Sequence, residues 1–147
     1  MDIRQQLENA LRDALRENNE IKKRTIRMVL SAIKLSEVEK GAKLDENSVM
    51  PIIHKEIKTR KEAIEESKSA NRPDLIQANQ QEIDILESFL PAPMSEEELN
   101  ALVQTTILEL GATKMSDMGK VMKSILPKIQ GRIGNDIVSQ AVKKALQ

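Results

Sequence analysis

A neutral chain of 147 residues, with 23 basic and 23 acidic side chains and no cysteine, has Phe89 as its only aromatic residue; it is long enough for one ordinary domain or two small helical ones. Missing cysteine excludes disulfides, thiolate nucleophiles and thiolate metal sites, and the shortage of aromatic residues argues against a sandwich or barrel core. A zero net charge leaves any electrostatic signal to be local.

The opening "MDIRQQLENALRDAL" carries acids and amides where a secretory signal needs an unbroken apolar run. No segment approaches the roughly 20 apolar residues of a membrane span. A cytoplasmic location and no membrane partner are therefore expected. Ile3, Leu7, Ala10, Leu11, Ala14 and Leu15 recur at helical spacing and predict a first amphipathic helix. Ile26, Val29, Leu30 and Ile33 predict a second, which runs to about Lys40 and stops at Gly41. In "LDENSVMP", Ser48 as N-cap would put Pro51 in the first helical turn, where a missing N–H costs nothing. A start at Asp45 would place Pro51 inside the helix, so the third helix is expected to begin after Ser48 and to run to about Ser69.

"ANRPD" breaks the chain, and a fourth helix is expected from about Asp74 to Phe89. "LPAPMS" follows, with two prolines in three residues, and is the clearest boundary. Ser95 with Glu98 three residues on reads as a capping box, opening a fifth helix that ends at Gly111. A sixth is predicted from Ser116 as N-cap to near Pro127, and a seventh from near Asn135 to the end. The expectation is an all-α fold: an N-terminal four-helix subdomain over residues 1–90, a Pro-rich joint at 91–95 and a C-terminal three-helix subdomain over 96–147.

No constellation in this chain carries chemistry. His54 is the only histidine, and one histidine without cysteine cannot build the usual nitrogen and sulfur zinc site. Its neighbours one turn away are Met50, Pro51, Ile57 and Lys58, so no acid on its own helix face orients it as a general base. The serines inside predicted helices lie in no Gly-x-Ser-x-Gly elbow, and neither a P-loop nor a dinucleotide fingerprint occurs. "IEESK" and "SEEEL" read as solvated faces and caps. Catalytic residues, metal ligands and cofactors are accordingly expected to be absent, and the chain is not expected to catalyse a reaction alone.

Basic residues are more informative. Lys22, Lys23, Arg24 and Arg27 open the second helix, and Lys55, Lys58, Arg60 and Lys61 lie on the third among acids that can pair with them at i,i+4. From Gly111 onward Lys114, Lys120, Lys123, Lys128, Arg132, Lys143 and Lys144 face only Asp117 and Asp136, a surplus of five positive charges. Both acids sit where helices should begin and are expected to serve there as caps. Gly131 and Gly134 flank Arg132 in the turn between the last two helices, where glycine lets a backbone approach and a helix N-terminus offers bare N–H groups. The candidate phosphate-binding residues are therefore Lys120, Lys123, Lys128, Gly131, Arg132, Gly134 and Lys143. An ordinary interhelical turn with solvated lysines accounts for the same pattern. With Phe89 elsewhere, base stacking is excluded, so nucleic acid would be held by phosphates and shape.

"DMGKVMKSILPKIQGRIGNDIVSQAVKKAL", preceded by "ESFLPAPMSEEEL", closely resembles the YqeY family of small bacterial helical proteins, and the resemblance covers essentially the whole chain. The tail is also similar to the C-terminal domain of GatB, the B subunit of the glutamine-dependent Asp/Glu-tRNA amidotransferase, which helps to hold tRNA. The resemblance implies two helical subdomains and a partner in tRNA or another structured RNA. Its family labels imply carbon–nitrogen ligase activity with glutamine as amido donor, and hence amidotransferase subunits as alternative partners, although fold analogy does not transfer chemistry. Where the family commonly shows a small residue and then an acid after Gly-Arg, this chain has Ile133, Gly134 and Asn135. A third reading takes Met115, Met118 and Met122 as part of an adaptable protein-binding groove, against their more usual role as core filler.

Overall fold

The computed structural model describes residues 2–147, and every regular element among them is helical. The helices are α1 (Ile3–Glu17), α2 (Glu20–Lys40), α3 (Glu46–Ser69), α4 (Pro73–Glu87), α5 (Glu96–Leu110), α6 (Met118–Ile129) and α7 (Asn135–Leu146), with a 3-10 turn at Met115–Asp117. The chain divides into a unit that ends at Leu90 and a second from Pro91 to Gln147.

Local chemistry explains most of the boundaries. Asp2 caps α1 by accepting from the Gln5 N–H at 2.8 Å, and Gln5 returns the bond to the Asp2 N–H. Asn18 ends that helix in the left-handed region and Asn19 caps the next by accepting from the Lys22 N–H. Gly41 and Gly111 close α2 and α5 with φ of 68° and 64°, values that a side chain would resist.

The start of α3 departs from the sequence expectation. Asp45, not Ser48, is the N-cap, and its carboxylate accepts from the Ser48 N–H at 2.9 Å. Pro51 consequently lies inside the helix. It is exposed, and the carbonyl that its missing N–H would have served belongs to exposed Asn47, where water can substitute. A carboxylate at the positive helix end offsets part of that loss. The sixth helix differs similarly. Ser116 sits in the 3-10 turn, α6 begins after Asp117 and it passes through Pro127 to Ile129.

In the first unit Leu7, Ile26, Val29, Ile33, Val49, Ile53, Ile57, Ile64, Ile83 and Leu86 form the core, with Phe89 against it. Arg60 makes the i,i+4 pair expected of its helix, with Glu56, and is also buried where α2, α3 and α4 meet. Its Nε donates to Glu82 at 3.0 Å and its Nη1 to Glu56 at 2.8 Å, while Arg24 holds the other Glu82 oxygen at 3.1 Å. A buried guanidinium with its donors engaged is tolerable where an unpaired one would not be.

The second unit is three helices around Leu99, Val103, Val121, Ile125, Ile129, Val138, Val142 and Leu146. Residues 121, 125 and 129 of α6 and residues 138, 142 and 146 of α7 repeat every fourth position, so each helix turns one narrow apolar row inward. Each of the three helices packs on the other two. Burying one such Ile or Val contributes about 1.5–3 kcal/mol, and cutting Ile125 to alanine would cost about 2–5 kcal/mol.

Candidate nucleic-acid interface

The inward row of α6 decides where its lysines go. With Val121, Ile125 and Ile129 buried, Lys120, Lys123 and Pro127 fall on the opposite, exposed side, and Lys128 falls on a flank. Lys120 and Lys123 are one turn apart on this face, and neither makes an ion pair among the described residues. On α7 the row Val138, Val142 and Leu146 leaves Lys143 and Lys144 exposed in the last turn.

The Asp117 carboxylate is turned to the backbone rather than to these lysines. Its carboxylate accepts from the Thr113 N–H at 3.0 Å and the Lys114 N–H at 3.4 Å, folding back over the loop rather than capping α6. Those backbone donors, that of Thr113 first, with Lys120 and Lys114 nearby, hold its carboxyl below the ordinary range. Asp136 lies in the first turn of α7, where the helix dipole favours a negative charge.

Lys128 and Arg132 are engaged within the protein itself. Lys128 Nζ is 3.1 Å from Glu109 Oε2 on α5. Arg132 is a clamp: Nη1 and Nη2 grip Glu98 in a two-pronged pair at 2.6 and 2.9 Å, Nε donates to the Ala92 carbonyl at 3.0 Å, and Nη2 also reaches the Pro93 carbonyl at 3.4 Å. The Met94 N–H donates to the Arg132 carbonyl at 3.2 Å. The strand of chain that comes close to the glycine turn is therefore the protein's own Pro91–Met94 segment. Arginine suits this work because its fixed fork serves a carboxylate and backbone carbonyls together. The Arg132 fork, in turn, keeps Glu98 ionised below the ordinary carboxylate range.

The two turn glycines play unequal parts. Gln130 and Gly131 are both left-handed, at φ of 53° and 73°, and this reverses the chain. Gly134 has φ −67° and is buried as the N-cap of α7, with no side chain to cap with. Of the seven sequence candidates, Lys120, Lys123 and Lys143 thus remain as exposed cations without an ion pair. Gly131, Arg132 and Gly134 shape the turn, and Lys128 is compensated. Sequence reasoning missed Glu98 and Glu109 as partners, since the pairing of Glu98 with Arg132 spans 34 residues and has no local signature.

Elsewhere, the basic opening of α2 is partly absorbed, by Lys23 with Glu20 at 2.8 Å and by Arg24 with Glu82. Met118 and Met122 pack against the core of the second unit, while Met115 stays exposed. No helix among the described residues is long and apolar enough to cross a membrane.

Residues 4–146 match the family model described as Yqey-like protein. The chain is 34% identical over 126 residues to altered inheritance of mitochondria protein 41, mitochondrial, of Lachancea thermotolerans, covering 84% of this chain and 66% of that one, just under two thirds of its length. It is 29% identical to the protein of that name from Pyrenophora tritici-repentis, covering 95% of this chain and 78% of the other. With the Vanderwaltozyma polyspora protein it shares 32% identity, over 91% and 79% of the two chains.

Proposed function

The chain belongs to the Yqey-like protein family, and from that premise we propose that it is a non-catalytic binding module for structured RNA, tRNA foremost. The phosphates would lie along the Lys120 and Lys123 face of α6 and against Lys143 and Lys144 at the end of α7. One observation carries this reading. In the second unit the cations with acidic partners, Lys128 and Arg132, are paired with α5, whereas these four lysines are exposed and keep their charge for a ligand.

Contacts of this kind are salt-sensitive and carry little base information. The single aromatic side chain is partly buried against the core of the first unit, which leaves phosphate and shape recognition as the available mode. Similarity of the tail to the tRNA-holding domain of GatB supports tRNA over other structured RNAs.

Gel-shift titration of tRNA with the full chain, at low and moderate salt, tests the proposal. Binding should be lost in Lys120→Glu/Lys123→Glu/Lys143→Glu at unchanged helicity, and intact binding by that variant refutes the site. Adding the chain to a glutamine-dependent amidotransferase reaction tests the alternative. Stimulated ammonia release from glutamine without tRNA binding would replace the RNA reading with an accessory role.

A further inference from the structure

An exposed apolar stripe lies in the first unit, on the outer face of α2. Arg24, Met28, Ser31, Leu35 and Val38 are spaced four, three, four and three residues apart, which is the repeat of a coiled-coil seam. The seam is about 21 Å long at the helical rise. Its apolar members stand in solvent: Met28 is 48% exposed, Leu35 61% and Val38 72%. Arg24, Arg27, Met28 and Ser31 also line a shallow depression at its N-terminal end. The opposite face of the same helix supplies Ile26, Val29 and Ile33 to the core, so this stripe is surplus to the fold of its own unit.

Charge along the stripe is one-sided. Arg27 and Lys34, seven residues apart, flank one edge at the position that pairs across a coiled coil, and neither has an ion-pair partner. Arg24 heads the seam and is still 59% exposed beside Glu82. The acids nearby are Glu20, held by Lys23, and Glu39 on the far edge. A second copy of this chain laid antiparallel would set Arg27 against Lys34 of its mate, which repels, and one laid parallel would pair only Lys34, with Glu39, and leave Arg27 facing Ala32. Phosphates would have to cover Leu35 and Val38, which gain nothing from them.

We propose that this face docks an amphipathic helix of another protein, with apolar residues at seam spacing and glutamates or aspartates along the edge that meets Arg27 and Lys34. The Met28, Leu35 and Val38 side chains supply the contact, and the cationic edge sets the register and rejects basic helices. None of its residues is among the lysines proposed to meet RNA.

The test uses the full chain and two fluorescein-labelled synthetic peptides of about four heptads, both with Leu at the seam positions, one with Glu and one with Lys at the flanks. Anisotropy should show saturable binding of the Glu peptide with a preference of at least about tenfold over the Lys peptide. Arg27→Glu/Lys34→Glu should invert that preference and leave tRNA binding unchanged. Leu35→Asp should weaken the Glu peptide by at least about tenfold at unchanged helicity. No saturation, equal binding of both peptides, or indifference to these substitutions overturns the proposal. So does sedimentation showing a dimer that Leu35→Asp dissociates, or binding of phosphatidylcholine/phosphatidylserine vesicles through this stripe in place of the peptide.

Discussion

Replacing Lys120, Lys123 and Lys143 with glutamine separates an electrostatic binding surface from an ordinary solvated one. Each lysine is exposed and lacks an ion pair, so each can neutralise a phosphate and release a counterion on binding. The slope of log affinity against log salt is about 0.7 to 0.9 per phosphate neutralised, so losing three lysines should flatten it by about 2 to 2.7. Over a rise from roughly 50 to 200 mM salt, the parent chain should therefore lose about 20- to 40-fold more affinity than the variant. Labelled tRNA followed by anisotropy across that salt range, with circular dichroism to confirm helicity, supplies the measurement. Lys128→Gln is the contrast, because Glu109 already serves as its counterion, and it should change the slope least of the four. A triple variant with the parental slope and native helicity would refute the phosphate assignment.

Three further outcomes follow from the packing. Arg60→Met leaves Glu56 without its buried partner and Glu82 with Arg24 alone, and urea denaturation should show a loss of about 2–4 kcal/mol; a change below about 0.5 kcal/mol would mean the network contributes nothing net. Pro51→Ala restores an N–H to the Asn47 carbonyl and should stabilise the chain by about 1–2 kcal/mol, read from the same transition, whereas destabilisation would mean the ring fits this turn better than alanine. Because the Arg132 fork depresses the Glu98 pKa from its ordinary value of 4.5, the bond stabilises the fold above that pH and is lost as the pH falls through the depressed folded value. Thermal unfolding should therefore drop less between pH 6 and about pH 3 in Glu98→Gln than in the parent, and equal drops would exclude the pair as a contributor.

Helix number and class were legible because the apolar residues repeat at i, i+3 and i+4 through all seven segments, and because Gly41, Gly111, Ser95 and the prolines near residues 91 and 93 punctuate them. Two of the three displaced boundaries share one cause. The spacing rules make Pro51 and Pro127 marks of helix boundaries, but both are exposed, so water can serve the orphaned carbonyl and the helix continues. Asp45 then wins the cap by the geometry of its carboxylate, which no spacing rule distinguishes from that of Ser48.

The seven charged and glycine candidates mark the border between the two kinds of information. Their concentration after Gly111 is a property of the chain, as is the placing of Lys120 and Lys123 opposite the apolar row of α6, because helical periodicity alone assigns residues to faces. Which cations are tied up in ion pairs was decided by tertiary structure. Glu98 and Glu109 lie on α5, and only the packing of α5 on α6 and α7 brings them to Arg132 and Lys128. Burial of Arg60 is likewise a product of three helices meeting. Helix periodicity is a local property, but ion pairing depends on distances that the fold alone creates.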